Sequence, residues 1–421
     1  MASTYPPKRL YRIPRSTNAE DPELYKAFGF HPVHIGDYLK GERYRIVHKL
    51  GYGGSSTVWL ARDCLENCYV SLKISRANFA LGNKEVSVLR HLAQTKSDHM
   101  GAQYVMKLRD DFILSGPNGE HQCIVSQVAG NRLSRPLGVR YSCLGPSRLL
   151  VAQLFLGLEY LNSCNVGHGD LYTGNILFQL ETFDSWSDEQ LYECMGRPVT
   201  EEVVRLDGQA IESCAPAYTV HSGDLSRLEQ RMMVSKILIV DFGASYFINK
   251  PPLKTTTPAQ YAAPEVLRSI EVAPSSDVWA LGCAAFEICA GYTMFKALFN
   301  PRQDVMKDMI SMLGKPPDNI WKMWEERSRY FDEEGHAVRR TEQVIPFQTY
   351  PLYDRVRDMA RLYPTDGRMI DMNELPGEHL ETVELVQTHD FLSKVFVFNP
   401  VSRISVQSAL GHPFLAQVNI Q

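Results

Sequence analysis

Asp170, Asn175 and Asp241 carry oxygen atoms that could bind a metal ion and remove a proton from a substrate. Asp170 and Asn175 lie in the segment VGHGDLYTGNIL, and Asp241 directly follows the apolar segment ILIV. A carboxylate beside a hydroxyl can act as a general base, and amide and carboxylate oxygens suit Mg²⁺. We therefore predict that Asp170 is the base and that Asn175 and Asp241 bind the metal. His168, in the same loop, is interpreted as a structural residue that fixes the loop.

A glycine-rich segment between two predicted strands could bind phosphate. Glycines let the backbone approach phosphate oxygens because no Cβ intervenes. A strand follows the segment, so it differs from the dinucleotide-binding fingerprint, in which a helix follows. Taken alone, the segment is equally compatible with an ordinary hairpin turn. Its candidate nucleotide-binding residues are Gly51, Gly53, Gly54, Ser55, Ser56 and Val58.

Lys73 lies in the otherwise apolar strand YVSLKI, and Glu85 follows on the next predicted helix. An unpaired buried charge is costly, so the lysine needs a partner. We predict that Glu85 pairs with Lys73 and leaves the ammonium group able to contact a polyphosphate. The alternative is an edge-strand lysine that faces water.

The elements that must position these residues change in type along the chain. Period-two alternation predicts strands in YRIVHKL, TVWLARD and CYVSLKI, and helical spacing predicts a helix over NKEVSVLRHLA. After Arg132 helices predominate, and residues 179–236 resemble a surface insertion with eleven acidic and five basic residues. The pattern predicts an α+β protein.

Composition excludes several classes of protein. The 421 residues carry 44 basic and 48 acidic side chains, and the net charge of −4 provides no basic field for nucleic acid. The nine cysteines show no zinc-site spacing and predict reduced thiols.

The apolar stretch Val278 to Phe295 contains Gly, Glu and Cys, so we predict a buried helix. The basic, Pro-containing N-terminus lacks a secretory signal and is expected to be a flexible arm.

The order of these segments resembles that of the eukaryotic protein kinases. Ala263-Pro264-Glu265 matches the end of their activation segment, and DVWALG opens the apolar helix. The resemblance implies an ATP–Mg²⁺-dependent phosphotransferase of the bilobal protein-kinase fold, with a β-rich N-lobe and a mainly α-helical C-lobe. It also implies a salt bridge between Arg403 and Glu265.

Within the kinases the chain is most similar to the serine/arginine-protein kinases in their fungal form, over about residues 20–418. This resemblance implies phosphorylation of serine or threonine in arginine/serine-rich splicing factors. It places Gln127 and Val128 in the adenine-binding hinge. The segments that carry it are YKAFGFHPVHIGDYLKGERYRIVHKLGYGGSSTVWLARD (25–63), VVRLDG (203–208), MLGKPP (312–317) and GHPFL (411–415).

The predicted organisation is an irregular arm over residues 1–40, an N-lobe over 41–131 and a C-lobe over 132–418 that contains the acidic insertion 179–236. We expect a monomer in the cytoplasm, the nucleus or both, without a membrane segment and without direct contact to nucleic acid.

Several positions depart from the kinase pattern. Tyr172 stands where most protein kinases have a lysine that neutralises the transferred phosphate, and Pro258 replaces the activation-segment threonine, although Thr257 is adjacent. Ser56 replaces the third loop glycine, as in the serine/arginine-protein kinases, and Ser126 predicts an enlarged pocket behind adenine. Other phosphotransferases with HGDLxxGN loops lack the lysine and are active, which favours an active enzyme. A nucleotide-binding pseudokinase and a small-molecule phosphotransferase remain as alternatives.

Overall fold

The computed structural model describes residues 9–79, 84–95, 98–133, 144–297, 301–338, 349–360, 382–416 and 418. The chain divides into two compact units. The first comprises the residues up to Gln94, Met106–Asn131 and Phe178–Ser235, and the second comprises Thr95–Val105, Arg132–Leu177 and the residues from Lys236 onward.

The described residues contain thirteen strands and twelve α-helices. The strands are β1 Tyr38–Leu39, β2 Tyr44–Tyr52, β3 Ser56–Asp63, β4 Cys68–Ser75, β5 Asp110–Gly116, β6 Gly119–Ser126, β7 Ala129–Arg132, β8 Val166–Gly167, β9 Ile176–Leu180, β10 Thr200–Glu202, β11 Tyr218–Val220, β12 Met233–Ile239 and β13 Tyr246–Phe247. The helices are α1 Lys84–Gln94, α2 Leu144–Ser163, α3 Asp188–Met195, α4 Ser226–Met232, α5 Pro264–Leu267, α6 Pro274–Ala290, α7 Pro301–Leu313, α8 Asp318–Trp321, α9 Leu352–Arg357, α10 Thr382–Val395, α11 Val406–Leu410 and α12 Pro413–Ala416.

A six-stranded antiparallel sheet forms the centre of the first unit, in the order β1-β2-β3-β4-β6-β5. Successive side chains on a strand point to opposite faces. Ile46 and Trp59 therefore pack in a buried cluster on one face, while Val47 and Leu60 pack in a second cluster. The alternation seen in the sequence thus produces a sheet that is buried on both sides.

The second of these clusters is completed by the acidic segment. The cluster that contains Val47 and Leu60 also contains Leu191 of α3. Two further members are Leu225, which precedes α4, and Leu228, which lies within it. The division into units therefore places Phe178–Ser235 with the first unit. This differs from the expected surface insertion in the C-lobe, because apolar residues spaced among the acids provide a buried face.

The N-terminal segment is irregular, as expected, but it is packed rather than a free arm. Tyr11, Tyr25 and Phe30 are buried in a cluster with Val203 and Ala215 of the acidic segment. The N–H of Arg12 donates to the carbonyl of Val204 at 3.0 Å, which extends this contact through the backbone. Aromatic burial of this kind stabilises a segment that has little regular structure.

Helices α2 and α6 of the second unit are rich in buried apolar residues. Helix α6 begins at Pro274 and ends at Ala290, and it is followed by Gly291, whose φ of 77° is left-handed. The apolar stretch that begins at Val278 is thus a buried helix, as predicted, and Trp279 is fully buried. Among the helices of the described ranges, none has the length and apolarity to cross a bilayer.

Candidate active site

The predicted base and one predicted metal ligand lie together in the second unit. The Nδ2 of Asn175 donates to the backbone carbonyl of Asp170 at 2.9 Å and to its Oδ2 at 3.1 Å. Asn175 is buried and belongs to a 3₁₀ turn, Thr173–Asn175, that leads into β9. Because Nδ2 is used within the loop, Oδ1 is the atom of Asn175 that remains to bind a cation.

His168 and Asp277 hold the loop that carries Asp170. The Oδ2 and Oδ1 atoms of Asp277 accept the N–H groups of His168 at 2.8 Å and Gly169 at 3.0 Å. The Nε2 of His168 lies 3.2 Å from the carbonyl of Val240, and its Nδ1 accepts the N–H of Asp170 at 3.3 Å. Burial lowers the pKa of His168 to about 4, so the ring is neutral. His168 is therefore a structural residue, as predicted.

Gly169 satisfies a backbone requirement of the same loop. Its φ is +75°, and an added Cβ would lie 2.7 Å from the carbonyl oxygen of Ala244. Both the left-handed conformation and the close approach disfavour any larger residue. The segment that follows Asp241 can therefore pack directly against the residue before Asp170.

The Asp170 carboxylate has the environment of a base rather than of a structural ion pair. Its Oδ1 is buried and accepts no hydrogen bond from any residue that the structure describes. Burial, and then the nearby charge of Asp241, raise the pKa of Asp170 to about 7. A base acts best when its pKa is near the working pH, so Oδ1 is suited to accept a proton from a hydroxyl.

Asp241 lies two residues beyond β12, and its side chain is exposed. Its φ is 64° and its ψ is 80°, in the left-handed region. Non-glycine residues in this region are uncommon and concentrate at functional sites. The Oδ1 accepts the N–H of Gly243 at 3.4 Å, which orients the carboxylate.

The oxygens of Asn175 and Asp241 fit a hard divalent cation such as Mg²⁺, which prefers oxygen ligands. Among the described residues no group of three or more His, Cys, Asp or Glu side chains could enclose a metal. A cation on Asn175 and Asp241 would therefore take its other ligands from phosphate and water, as is usual where Mg²⁺ binds with a nucleotide.

Lys73 and Glu85 form the predicted ion pair in the first unit. The Nζ of Lys73 on β4 lies 2.8 Å and 3.0 Å from the two carboxylate oxygens of Glu85 on α1. The Glu85 side chain is 5% exposed and that of Lys73 is 18% exposed, so the pair is partly accessible on the lysine side. This geometry leaves the ammonium group able to contact a phosphate.

The glycine-rich segment is the turn of the hairpin between β2 and β3. The N–H of Gly53 donates to the carbonyl of Ser56 at 2.9 Å and closes the turn. An added Cβ on Gly51, Gly53 or Gly54 would meet no atom within 4 Å, and none has a left-handed φ. The fold itself therefore does not require glycine at these positions, whereas close approach of phosphate would.

The pairing of β3 with β4 positions Val58 and Ser56, two other predicted nucleotide-binding residues. Val58 on β3 pairs with Lys73 on β4, and Ser56 pairs with Ser75. Ser56 is buried, whereas Ser55 is exposed at the turn. Val58 therefore lies in register with the lysine that is expected to contact ATP.

The predicted hinge residues Gln127 and Val128 follow β6. The Oε1 of Gln127 accepts the N–H of Lys107 at 3.1 Å, and Val128 packs at the edge of the second cluster of the sheet. Glu229 of α4 accepts both the N–H and the Nδ2 of Asn131, the latter at 2.7 Å. No pattern in the sequence indicates that the acidic segment holds the residues after the hinge.

Tyr172 is packed within the second unit. Its ring lies over Gly174, where an added Cβ would be 2.2 Å from Cε2 of Tyr172. The centre of the Tyr172 ring is 5.6 Å from that of the Tyr261 ring. Burial, and then the charge of Asp170, raise the pKa of Tyr172, so its phenol is neutral. It cannot supply the positive charge of the lysine that most protein kinases have there.

A buried polar cluster connects the catalytic loop with the activation segment. The Thr173 hydroxyl lies 3.1 Å from the hydroxyl of Tyr261 and 3.0 Å from Oε2 of Glu287 on α6. Tyr261 also donates to Glu287. Burial raises the pKa of Glu287. The cluster holds Thr173 of the catalytic loop against Tyr261 and Glu287.

Position 258, where most protein kinases have a threonine, is a proline in this chain, and the neighbouring Thr257 contacts the catalytic loop. Its hydroxyl donates to the carbonyl of Gly169 at 2.7 Å. Replacing Thr257 by alanine should lower kcat about two- to tenfold, since one hydrogen bond contributes roughly 0.5–1.5 kcal/mol. Steady-state kinetics with saturating ATP measures this effect. Thr257→Ser keeps the hydroxyl and should stay within twofold of wild type, and an equal loss in both variants would contradict this role.

Arg403 and Glu265 form the salt bridge that the resemblance implied. Nη1 and Nη2 of Arg403 lie 2.8 Å and 3.0 Å from the two oxygens of Glu265, and both side chains are at least 98% buried. Arg403 also donates to the carbonyls of Ser275 and Val397. Arg403 thus links the end of the activation segment to the first turn of α6 and to Val397, much later in the chain.

Comparison with known proteins agrees with this geometry. The protein kinase domain family matches residues 228–415, which include Asp241, Glu265 and Arg403. The serine/threonine-protein kinase SRPK of Physarum polycephalum is 27% identical over 417 residues, covering 95% of this chain and 92% of that protein. Human SRSF protein kinase 3 is 36% identical over 168 residues, which are 38% of this chain and 29% of that protein.

A crystal structure of another kinase domain superposes with a TM-score of 0.61 at 19% identity, covering 92% of this chain and 98% of the other. The predicted α+β protein-kinase fold is therefore confirmed. The chain thus has the protein-kinase fold, and the relatives that it resembles along most of its length include SRPK-type serine/threonine protein kinases.

Proposed function

We propose that the protein transfers the γ-phosphate of ATP to serine or threonine in arginine/serine-rich proteins, including splicing factors. The observation that carries the catalytic part of this proposal is the free, buried Oδ1 of Asp170 beside Asn175. The names of the relatives, SRPK and SRSF protein kinase, support the substrate class.

Each candidate residue has a distinct part in this reaction. Asp170 orients the substrate hydroxyl and accepts its proton at Oδ1. Lys73, held by Glu85, and the backbone of the glycine-rich hairpin bind the phosphates of ATP, while Gln127 and Val128 contact adenine. Asn175 and Asp241 would hold Mg²⁺, which when bound neutralises phosphate charge. Catalysis then depends mainly on positioning and charge stabilisation.

Tyr172 is compatible with activity because its role in the structure is packing. The structure shows no hydrogen bond from its hydroxyl to the residues described. We expect Tyr172→Phe to keep kcat within about twofold, because ring contacts on Gly174 and Tyr261 remain. Tyr172→Ala should lower kcat about tenfold by loosening the loop, since about 1.4 kcal/mol corresponds to tenfold. A loss in Tyr172→Phe as large as in Tyr172→Ala would show instead that the hydroxyl takes part in catalysis.

The substrate class can be tested with three matched peptides. One carries Arg-Ser repeats, the second replaces each Arg by Lys, and the third replaces each Ser by Ala. We expect the first peptide to be phosphorylated with the highest kcat/KM and the third not at all. Arginine presents a planar group with several donors that lysine lacks, so a site built for arginine should discriminate between the two. Equal kcat/KM for the first two would contradict arginine recognition.

The same assay addresses the alternatives. A pseudokinase would bind ATP without phosphorylating any peptide, and a small-molecule phosphotransferase would act only on non-peptide hydroxyls. The buried Arg403–Glu265 pair behind the activation segment favours a protein kinase over the latter. A monomer located in the cytoplasm or nucleus remains a prediction.

A further inference from the structure

An N-terminal strap, residues 17–30, lies against the glycine-rich hairpin within the first unit. It contacts the hairpin region through Thr17, Glu20 and Phe30. The first contact is a hydrogen bond of 2.7 Å from the hydroxyl of Tyr52, the residue between Gly51 and Gly53, to the carbonyl of Thr17. The strap is therefore attached to the glycine-rich turn itself.

The second contact is a buried ion pair between Glu20 and Lys49. Lys49 lies on β2, two residues before Gly51, and its Nζ donates to Oε2 of Glu20. Lys49 is 0% exposed and Glu20 is 1% exposed, and Tyr25 donates to the other carboxylate oxygen. Removing one partner of a buried pair leaves an uncompensated charge, so this contact holds the strap firmly to the strand.

The third contact reaches the tip of the hairpin through Arg76, the residue after β4. Its guanidinium lies 5.5 Å from the centre of the Phe30 ring and donates to the carbonyl of Gly54 at 3.3 Å. Its backbone N–H donates to the carbonyl of Ser55 at 2.8 Å. Phe30 thus packs against the side chain of Arg76, a residue whose guanidinium contacts Gly54 and whose backbone N–H contacts Ser55.

We propose that the strap positions the glycine-rich hairpin for the nucleotide phosphates, with Glu20 as its principal positioning residue. This rests on the proposed function in that the hairpin is taken to bind ATP. Detaching the strap frees the hairpin, and nucleotide binding then has to order it again. The affinity for ATP therefore falls more than the rate of transfer.

The test uses the double variant Glu20→Gln/Tyr52→Phe in the full-length protein. Its matched control is Asp21→Asn, because Asp21 is also on the strap but its carboxylate pairs with Arg9, at 2.9 Å, rather than with the hairpin. Hydrogen exchange of the amides of residues 49–56 is measured without nucleotide. Affinity for a fluorescent ATP analogue, KM for ATP, and kcat are measured in parallel.

We expect the double variant to exchange faster at the hairpin and to bind the ATP analogue about tenfold more weakly, since tenfold corresponds to about 1.4 kcal/mol. Its kcat should stay within about threefold of wild type, in keeping with a loss mainly in binding. The control should match wild type in all four measurements. The milder single variant Tyr52→Phe should show a smaller change in the same direction, which provides a test if the double variant folds poorly.

Exchange and affinity that equal those of the control in both variants would overturn the strap proposal. The proposed function alone would be overturned if wild type transferred no phosphate to any peptide, while the double variant still lost hairpin protection and nucleotide affinity relative to the control.

Discussion

Asp170→Asn should lower kcat for peptide phosphorylation by about 10²–10⁴-fold, the usual contribution of a general base. The substitution keeps the shape of the side chain and a hydrogen-bonding contact with Asn175, but it removes the group that accepts the proton. KM for ATP should change by less than about threefold, because Asp170 is not proposed to bind nucleotide. Steady-state kinetics of the variant and of wild type measures both constants.

A matched control is an aspartate that has no part in the proposed reaction. Asp184→Asn changes an aspartate of the first unit, whose Oδ1 accepts the N–H of Tyr69 at 2.8 Å, and should leave kcat within twofold. If Asp170→Asn retained more than a tenth of the wild-type kcat, the assignment of Asp170 as the base would be wrong.

The pH dependence of the wild-type enzyme reports on the same carboxylate. Burial and the charge of Asp241 raise the pKa of Asp170 to about 7. Only the ionised form accepts a proton, so kcat/KM for the peptide should rise with pH between about 6 and 8. The residual activity of Asp170→Asn should lack this rise, and an identical pH profile in both proteins would contradict the assignment.

Arg403→Met should lower the free energy of unfolding of the second unit by about 3–5 kcal/mol, the cost of breaking a buried ion pair. The substitution leaves the Glu265 carboxylate buried with only Ser276 as a hydrogen-bond donor, at 2.9 Å, among the contacts described. Denaturant titration followed by circular dichroism measures the change. The effect on folding should be larger than that of any surface substitution in this unit.

Two further variants make this stability prediction specific. Glu265→Gln/Arg403→Met removes both charges and should be less destabilised than Arg403→Met alone, because no unpaired charge remains. Lys322→Met breaks the exposed pair with Asp318, whose side chains are 72% and 66% exposed, and should cost less than about 1 kcal/mol. Equal losses in Arg403→Met and Lys322→Met would show that the buried pair has no special role in stability.

The parts of the site that the sequence predicts are those in which local pattern and chemistry coincide. Lys73 in an apolar strand requires a partner, and Glu85 supplies it at 2.8 Å. Asp170 and Asn175 are brought together by a short turn between a buried helix and a strand, so their spacing in the sequence nearly determines their contact. His168 was interpreted as a residue that fixes this loop, and its ring contacts the carbonyl of Val240 and accepts the N–H of Asp170.

The contacts that the sequence does not predict depend on backbone atoms or on residues far apart in the chain. Thr257 binds a carbonyl of Gly169, and any residue type has a carbonyl, so no pattern marks the partner. The burial of Leu191 and Leu228 was hidden by the acidic residues around them, which dominate the composition of 179–236. Likewise, Tyr25 and Phe30 indicate a buried segment only when the opposing surface is known.

The most direct test of the proposed function is transfer of labelled γ-phosphate from ATP to the Arg-Ser repeat peptide in the presence of Mg²⁺, followed by phosphoamino acid analysis. Wild type should produce phosphoserine, and Asp170→Asn should reduce it by about 10²-fold or more. Tight binding of ATP by wild type without phosphorylation of this or any other peptide would contradict the account and identify a pseudokinase.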